Sequence, residues 1–375
     1  MTMPTARRLR VCALVATTTA AVIVTAAASA AAKPFIDQFA TIRTLSSAVP
    51  GSGPAKGDVN PYGVAVVPRT AGKLVRGDVL VSNFNDAHND QGTGSSIVQI
   101  SPSGKMSVFA VVPKAPGEPA VGLTTALVAL RNGDVIVGNL PAAGGDLKKG
   151  GPGALIVLNP AGHVIERITA TDINGPWDMT AVDRGARAVL FVTNVLNGTV
   201  AAGGHPVKSG TVVRIGLRLH GGGAPTVTSN QVIASGFTEH TDPNALVVGP
   251  TGVGLGHGDV LYVADAANNR IAAIPSALTR SSVLGGGGKT VASGKPLNDP
   301  LGLTIAPNGD VLSMNGGDGK IVETTTSGKT ASKTLMPNGA GDLFGLALVG
   351  GARGLYYVND SGSGPAANSL QTLQR

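Results

Sequence analysis

The chain has 375 residues and a formal net charge of +7, yet only 14% of its residues are charged. Its basic residues are scattered, with no run longer than two, which excludes the clustered stripe that a nucleic-acid partner needs. With 54 glycines and 3% aromatic residues, the composition argues for many short strands joined by tight turns.

The first element stands outside any fold. Arg7, Arg8 and Arg10 precede an apolar run from Val11 to about Val24, and Ala28-Ser29-Ala30 and Ala30-Ala31-Ala32 offer small residues for cleavage. This pattern reads as a secretory signal peptide over 1–32, because the apolar run is too short for a membrane span and ends in a cleavable tail. The Arg7-Arg8 pair also permits twin-arginine export. Cys12, the single cysteine, leaves with the signal, so the mature chain has no disulfide and must be stabilised by a packed core. Losing three arginines leaves 26 basic against 22 acidic residues, a net charge of +4. The expected product is a secreted or periplasmic monomer with no membrane span.

A lone strand comes next, within 37–47 (Phe39 to Leu45), with no partner nearby in sequence. From there the chain repeats itself. GDVLVSN (77–83), GDVIVGN (133–139), LFVTN (190–194), GDVLYVAD (258–265), GDVLSMN (309–315) and LYYVN (355–359) each run apolar and end on Asn or Asp. The closing residues Asn83, Asn139, Asn194, Asp265, Asn315 and Asn359 lie 56, 55, 71, 50 and 44 residues apart, the spacing of a propeller blade or solenoid turn. Upstream of each lies a more continuous apolar run: GVAVVP (63–68), ALVAL (126–130), MTAVD (179–183), ALVVGP (245–250), GLTIAP (302–307) and GLALVG (345–350). Downstream come a third run and, in most units, a weaker fourth, separated by Pro-Ser-Gly, Pro-Ala-Gly or Thr-Ser-Gly turns in which Gly supplies the positive φ.

Four antiparallel strands in each of six units predict an all-β fold, a six-bladed β-propeller filling 33–375. Blades are expected to begin near 60, 121, 175, 242, 299 and 341. The last unit lacks a fourth strand and the 37–47 strand lacks a blade, so that strand is predicted to complete the last blade and remove both open edges.

Propeller topology places the start of every first strand on one face, around the mouth of the central channel. Aligning the units puts Tyr62, Thr125, Trp177, Asn244, Leu301 and Phe344 in a ring there. Asp242, Asp299 and Asp342 stand two positions before the last three, and Asp178 follows Trp177. The six closing residues read as turn caps, bonding backbone amides two residues on. One connection breaks the repeat: Asn83, Asn85, Asp86, His88 and Asp90 begin a long polar loop reaching Ser96. It lacks the glycine and glutamate of a calcium loop but is the best local candidate for a ligand-facing segment. The six histidines are dispersed, and Glu239-His240-Thr241-Asp242 is the one local acid–base cluster near the channel face. There is no nucleophile elbow, no paired-histidine zinc motif and no phosphate loop. GGGGK at 285–289 reads as a flexible loop.

LYVADAANNRIAAIP (261–275) resembles an NHL repeat, in which a strand closes on Val-x-Asp and Asn-Arg-Ile opens the next. The resemblance implies kinship with six-bladed propellers that include metal-dependent lactonases of the gluconolactonase and regucalcin type, strictosidine synthase-like proteins and secreted binding proteins. Asn244-Ala245-Leu246 resembles the Asn-Gly-Leu segment of the lactonases, and Asp178 is the residue that could join Asn244 on a divalent cation such as Ca²⁺. The other ring positions are mostly not oxygen donors. The expected function is therefore binding or scaffolding at the channel mouth, of a small molecule, a glycan or a protein, with no cofactor. The alternative is a lactonase-like hydrolase or lyase using Asn244 and Asp178.

Overall fold

A computed structural model describes residues 1–2, 33–364 and 366–375. Nearly all of the signal segment predicted over 1–32 lies outside these residues. Among the described residues no helix is long and apolar enough to cross a membrane.

The apolar runs, rich in Val, Ile and Leu and bounded by Gly, Pro, Asn and Asp, form strands as their short length and β-branched composition require. They assemble into six antiparallel blade sheets, each running from the channel outward in chain order, with one exception at the closure, beside a small two-stranded sheet of Ala142–Ala143 and Asp146–Gly150. The inner strands are Val59–Val66, Leu123–Ala129, Pro176–Asp183, Pro250–Leu255, Pro300–Ile305 and Leu343–Leu348. Each packs against the inner strand of the next blade, and the last packs against the first, so the ring closes as a six-bladed propeller. The second strands, such as Val79–Asn85 and Gly354–Asn359, are buried along their whole length.

Closure follows the sequence expectation. Thr41–Ser47 pairs antiparallel with Ser369–Gln374 and becomes the outermost strand of the sixth blade. The predicted boundary of 37–47 is too generous at its start, because Phe35–Gln38 forms a 3₁₀ turn. That turn is anchored from blade five: the buried Glu323 carboxylate accepts the Phe35 and Ile36 N–H groups at 2.8 and 2.9 Å. Phe35, Ile36 and Phe39 then bury themselves between blades five and six.

Blade four corrects the sequence reading. Its inner strand is Pro250–Leu255, so the blade begins at 250 rather than near 242. The run at 245–250 supplies Leu246–Val248, a fifth strand of blade three that pairs with the end of Gly223–Asp242. The physical reason is length. Strands Val207–His220 and Gly223–Asp242 form a ribbon far longer than the repeat, and the chain needs a further short strand to return to the channel.

Hydroxyl groups on first and second strands stitch neighbouring blades together. Ser82 Oγ donates to the Thr124 carbonyl, Thr124 Oγ1 to Pro176, Thr193 Oγ1 to Thr251 and Thr251 Oγ1 to Pro300, at 2.7–2.9 Å. Each crosses from one blade to the next in a buried site, where a satisfied hydrogen bond contributes about 0.5–1.5 kcal/mol. The GGGGK segment is also tied down, since Arg270 donates to the Gly287 carbonyl at 2.9 Å.

Candidate functional site at the channel mouth

Every inner strand starts with a bulge. The pairing slips after Pro61, Leu123, Pro176, Pro250, Pro300 and Leu343, just where each strand leaves the mouth. A bulge twists the strand and re-aims the residue it releases. The released stretches are Tyr62 alone in blade one, then 124–126, 177–178, 251–252, 301–302 and 344–345. Of the residues aligned as a ring, Tyr62, Trp177, Asn244, Leu301 and Phe344 line one cavity together with Thr251, whereas Thr125 lines another.

The next position forms a collar of backbone. A Cβ added to Gly252, Gly302 or Gly345 would lie 2.2 Å from the carbonyl oxygen of Leu301, Phe344 or Tyr62 in the neighbouring blade. Only glycine allows that approach. Gly63 and Ala126 hold the same place in blades one and two, and Asp178 holds it in blade three.

Above the collar the ring side chains close the channel. Tyr62 stacks on Phe84 with centroids 4.7 Å apart and on Phe344 at 4.0 Å. Trp177 stands edge-on to Tyr62 at 5.9 Å and to Phe84 at 5.6 Å. Such pairs each add about 0.5–1.5 kcal/mol beyond burial. Phe84, near the end of strand Val79–Asn85, is wholly buried and forms an aromatic wedge just before the irregular loop.

On this plug rests a cavity of about 210 Å³. Tyr62, Trp177, Leu301 and Phe344 form its apolar side, and Asn60, Asn244, Thr251, Asp242, Asp299 and Asp360 its polar side. Asn60, with its amide turned to face the carboxylate, donates to Asp360 Oδ2 at 2.8 Å. Burial, and then the charge of Asp342, push the Asp360 carboxyl up to about 8. Asp299 is also raised, by burial first and the nearby Asp242 second, with His240 opposing. Burial, then the Asp360 charge, raises the Tyr62 phenol. At neutral pH Asp360 therefore carries a proton and can donate, beside the side-chain oxygens of Asp242, Asp299, Asn60 and Asn244.

The remaining sequence candidates separate from this cavity. Asn83 and Asn85 are buried behind it; Asn83 Nδ2 donates to the Ala48 carbonyl and Ser96 Oγ, and Asn85 Nδ2 to Asn89 Oδ1. Asp86 caps its own turn, its Oδ1 accepting from the His88 and Asp90 N–H groups, while His88 and Asp90 face solvent. The loop touches the mouth through Gln91, which donates to the Asn244 carbonyl. Thr125 and Asp178 line the channel on the far side of the plug. Asp178 and Asn244 thus line different spaces. Among the described residues no three His, Cys, Asp or Glu side chains are grouped to hold a metal. The donor pair inferred for Ca²⁺ does not assemble as one ligand set here, because the aromatic plug lies between its members.

Asn60, Thr251 and Asp360 escaped the sequence reading. Two left signals. Pro250-Thr251-Gly252 matches Pro61-Tyr62-Gly63 and Pro300-Leu301-Gly302, and Asp360 directly follows a closing asparagine. Asn60 left none, since its role depends on a carboxylate from the other end of the chain.

No protein-family model matches this chain, and no curated protein matches it. The fold is shared with solved six-bladed propellers of the gluconolactonase-like group and its relatives. A gluconolactonase from Xanthomonas campestris is 14% identical with a TM-score of 0.55, over 89% of this chain and 88% of that one. Regucalcin, a calcium-binding protein from Agrobacterium tumefaciens, is 12% identical with a TM-score of 0.53, over 89% and 93%. The PQQ-bound aldose sugar dehydrogenase from Streptomyces coelicolor is 13% identical with a TM-score of 0.53, over 89% and 98%. Identity at this level speaks to fold alone.

Proposed function

We propose that the protein is an exported binding protein that takes a small hydroxyl-rich ligand, of the size and chemistry of a single sugar ring, at the channel mouth. The supporting observation is the cavity itself: an aromatic wall opposite mixed donors and acceptors in about 210 Å³. A sugar ring offers C–H faces that pack on Tyr62, Trp177 and Phe344, and hydroxyls that bond Asp242, Asp299, Asn60 and a protonated Asp360. Export rests on the signal-like segment, and NHL-type repeat chemistry on blade four. There Asp265 at the strand end accepts from Arg270 Nε at 2.6 Å, joining the two ends of the NHL-like segment.

Trp177 is the only tryptophan and lines the cavity, so its fluorescence reports occupancy directly. Titration with a panel of monosaccharides should change the emission saturably, and Asp299→Asn should weaken the response at least about tenfold, as expected for a lost charge-assisted hydrogen bond. No saturable change with any sugar, alongside no heat of binding, would overturn this reading.

A second reading, lactonase-like hydrolysis of a sugar lactone in the same cavity, is favoured by one observation. A carboxyl raised to about 8 is poised for general acid–base work near neutral pH. Acid release from aldonolactones, abolished by Asp360→Asn, would select the enzyme, whereas sugar binding without turnover would select the binding protein.

A further inference from the structure

Behind the aromatic plug the channel opens again into a cavity of about 330 Å³, lined from all six inner strands and reaching their far ends. It is separate from the mouth. Val64, Val66, Leu127, Leu303 and Leu346 line it together with Thr125, Thr180 and Thr304, and no aromatic, lysine, arginine or histidine side chain does. Two carboxyl groups do. Asp183, at the far rim, is fully engaged: its oxygens accept the Arg131 N–H at 2.6 Å and the Gly185 N–H at 2.8 Å. Asp178, at the throat, is only 7% exposed. Its Oδ1 accepts the Met179 N–H at 2.7 Å, and the Val253 N–H also favours its charged form. No counter-ion faces it.

The position of Asp178 is what asks for a ligand. It stands in the collar, where four other blades carry glycine and one carries alanine. Threonine or serine could fill the space without burying a charge. A buried carboxyl lacking a cation is costly, and the cost is relieved by a cation that enters the cavity.

We propose that the inner channel is a second binding site, for a slim aliphatic ammonium ion whose charged head meets Asp178. Val64, Leu127, Leu303 and Leu346 give a short alkyl chain apolar contact. The volume equals about eleven waters, enough for a chain of about five to eight heavy atoms. An anionic ligand would face two carboxyl groups, and a neutral alcohol would bring no charge to pair with Asp178. Burial raises the Asp178 carboxyl from its ordinary value, and a seated R–NH₃⁺ favours its charged form.

Isothermal titration of the purified protein at neutral pH with n-butylammonium, butyrate and 1-butanol tests this. Butylammonium should bind at least about tenfold more tightly than the other two. Asp178→Asn should abolish the preference. Asp178→Gly, which gives blade three the residue most blades already carry, should do the same in a folded protein. No binding of butylammonium, equal binding of 1-butanol, or a preference that survives either substitution would overturn the proposal. The test is independent of the sugar reading, because it reads a different cavity with a different ligand.

Discussion

Removing the Glu323 carboxylate should loosen the closure of the ring. Glu323 is 2% exposed and accepts two backbone N–H groups, from Phe35 and Ile36, at the entry to the closing strand. In Glu323→Ala both donors lose their acceptor, and each unsatisfied buried donor costs about 1–3 kcal/mol. The expected loss is about 4 kcal/mol. At about 2.1 cal/mol/K per residue, a unit of this size has an unfolding entropy of about 0.7 kcal/mol/K, so the melting temperature should fall by about 5–6 °C. Glu323→Gln keeps one acceptor oxygen and should lose about half as much. A second signature accompanies the first. Asp310 is pushed up to about 6 by burial first and then by Glu323, so either substitution should lower its pKa and flatten the pH dependence of stability between about 4 and 6. Scanning calorimetry across pH reads both effects, and hydrogen exchange should show faster exchange confined to 35–47. Unchanged melting in both variants, with unchanged protection at 35–47, would refute the reasoning.

Three further outcomes follow from the same contacts. All the resolved carboxyl shifts are upward, and a raised acid binds its proton more tightly when folded. Its stabilisation is complete below the unfolded pKa near 4 and is lost as pH rises through the folded value, about 6 for Asp310 and about 8 for Asp360. The melting temperature should therefore fall from pH 5 to 9, and Asp360→Asn should remove the upper part of the decline; a flat or rising profile across pH 6–9 would contradict this. Arg270→Met should cost about 3–5 kcal/mol in urea unfolding, because it leaves the fully buried Asp265 without its cation. Gly302→Ala should cost about 1–3 kcal/mol by forcing blades five and six apart at the collar, whereas Gly285→Ala, whose new Cβ meets nothing within 4 Å, should stay within about 0.5 kcal/mol.

The repeat was legible because a blade is a local object. A strand that ends in Asn or Asp, followed by a Gly-containing turn, has the same meaning wherever it occurs, and six copies imply six blades. The closing strand was legible by subtraction, since one blade lacked a strand and one strand lacked a blade. Blade four was misread because its apolar run at 245–250 satisfies the same composition rule as the true inner strand at 250–255. The Pro-Thr-Gly at 250–252 carried the better signal, but its weight appears only once the glycine is seen lying against the Leu301 carbonyl.

Composition, periodicity and turn chemistry determined the all-β class, the six blades and their direction. These depend on contacts between neighbours in sequence, which a sequence displays. The tertiary structure alone decided what lies beside what across blades. It set Phe84 against Tyr62 to plug the channel, turned Asn60 toward Asp360 from the far end of the chain, and put Asp178 and Asn244 on opposite sides of the plug. It also gave the carboxyl groups their raised pKa values, since desolvation depends on everything packed around a group. The sequence names the groups that ring the channel; closing the ring decides which of them share a cavity.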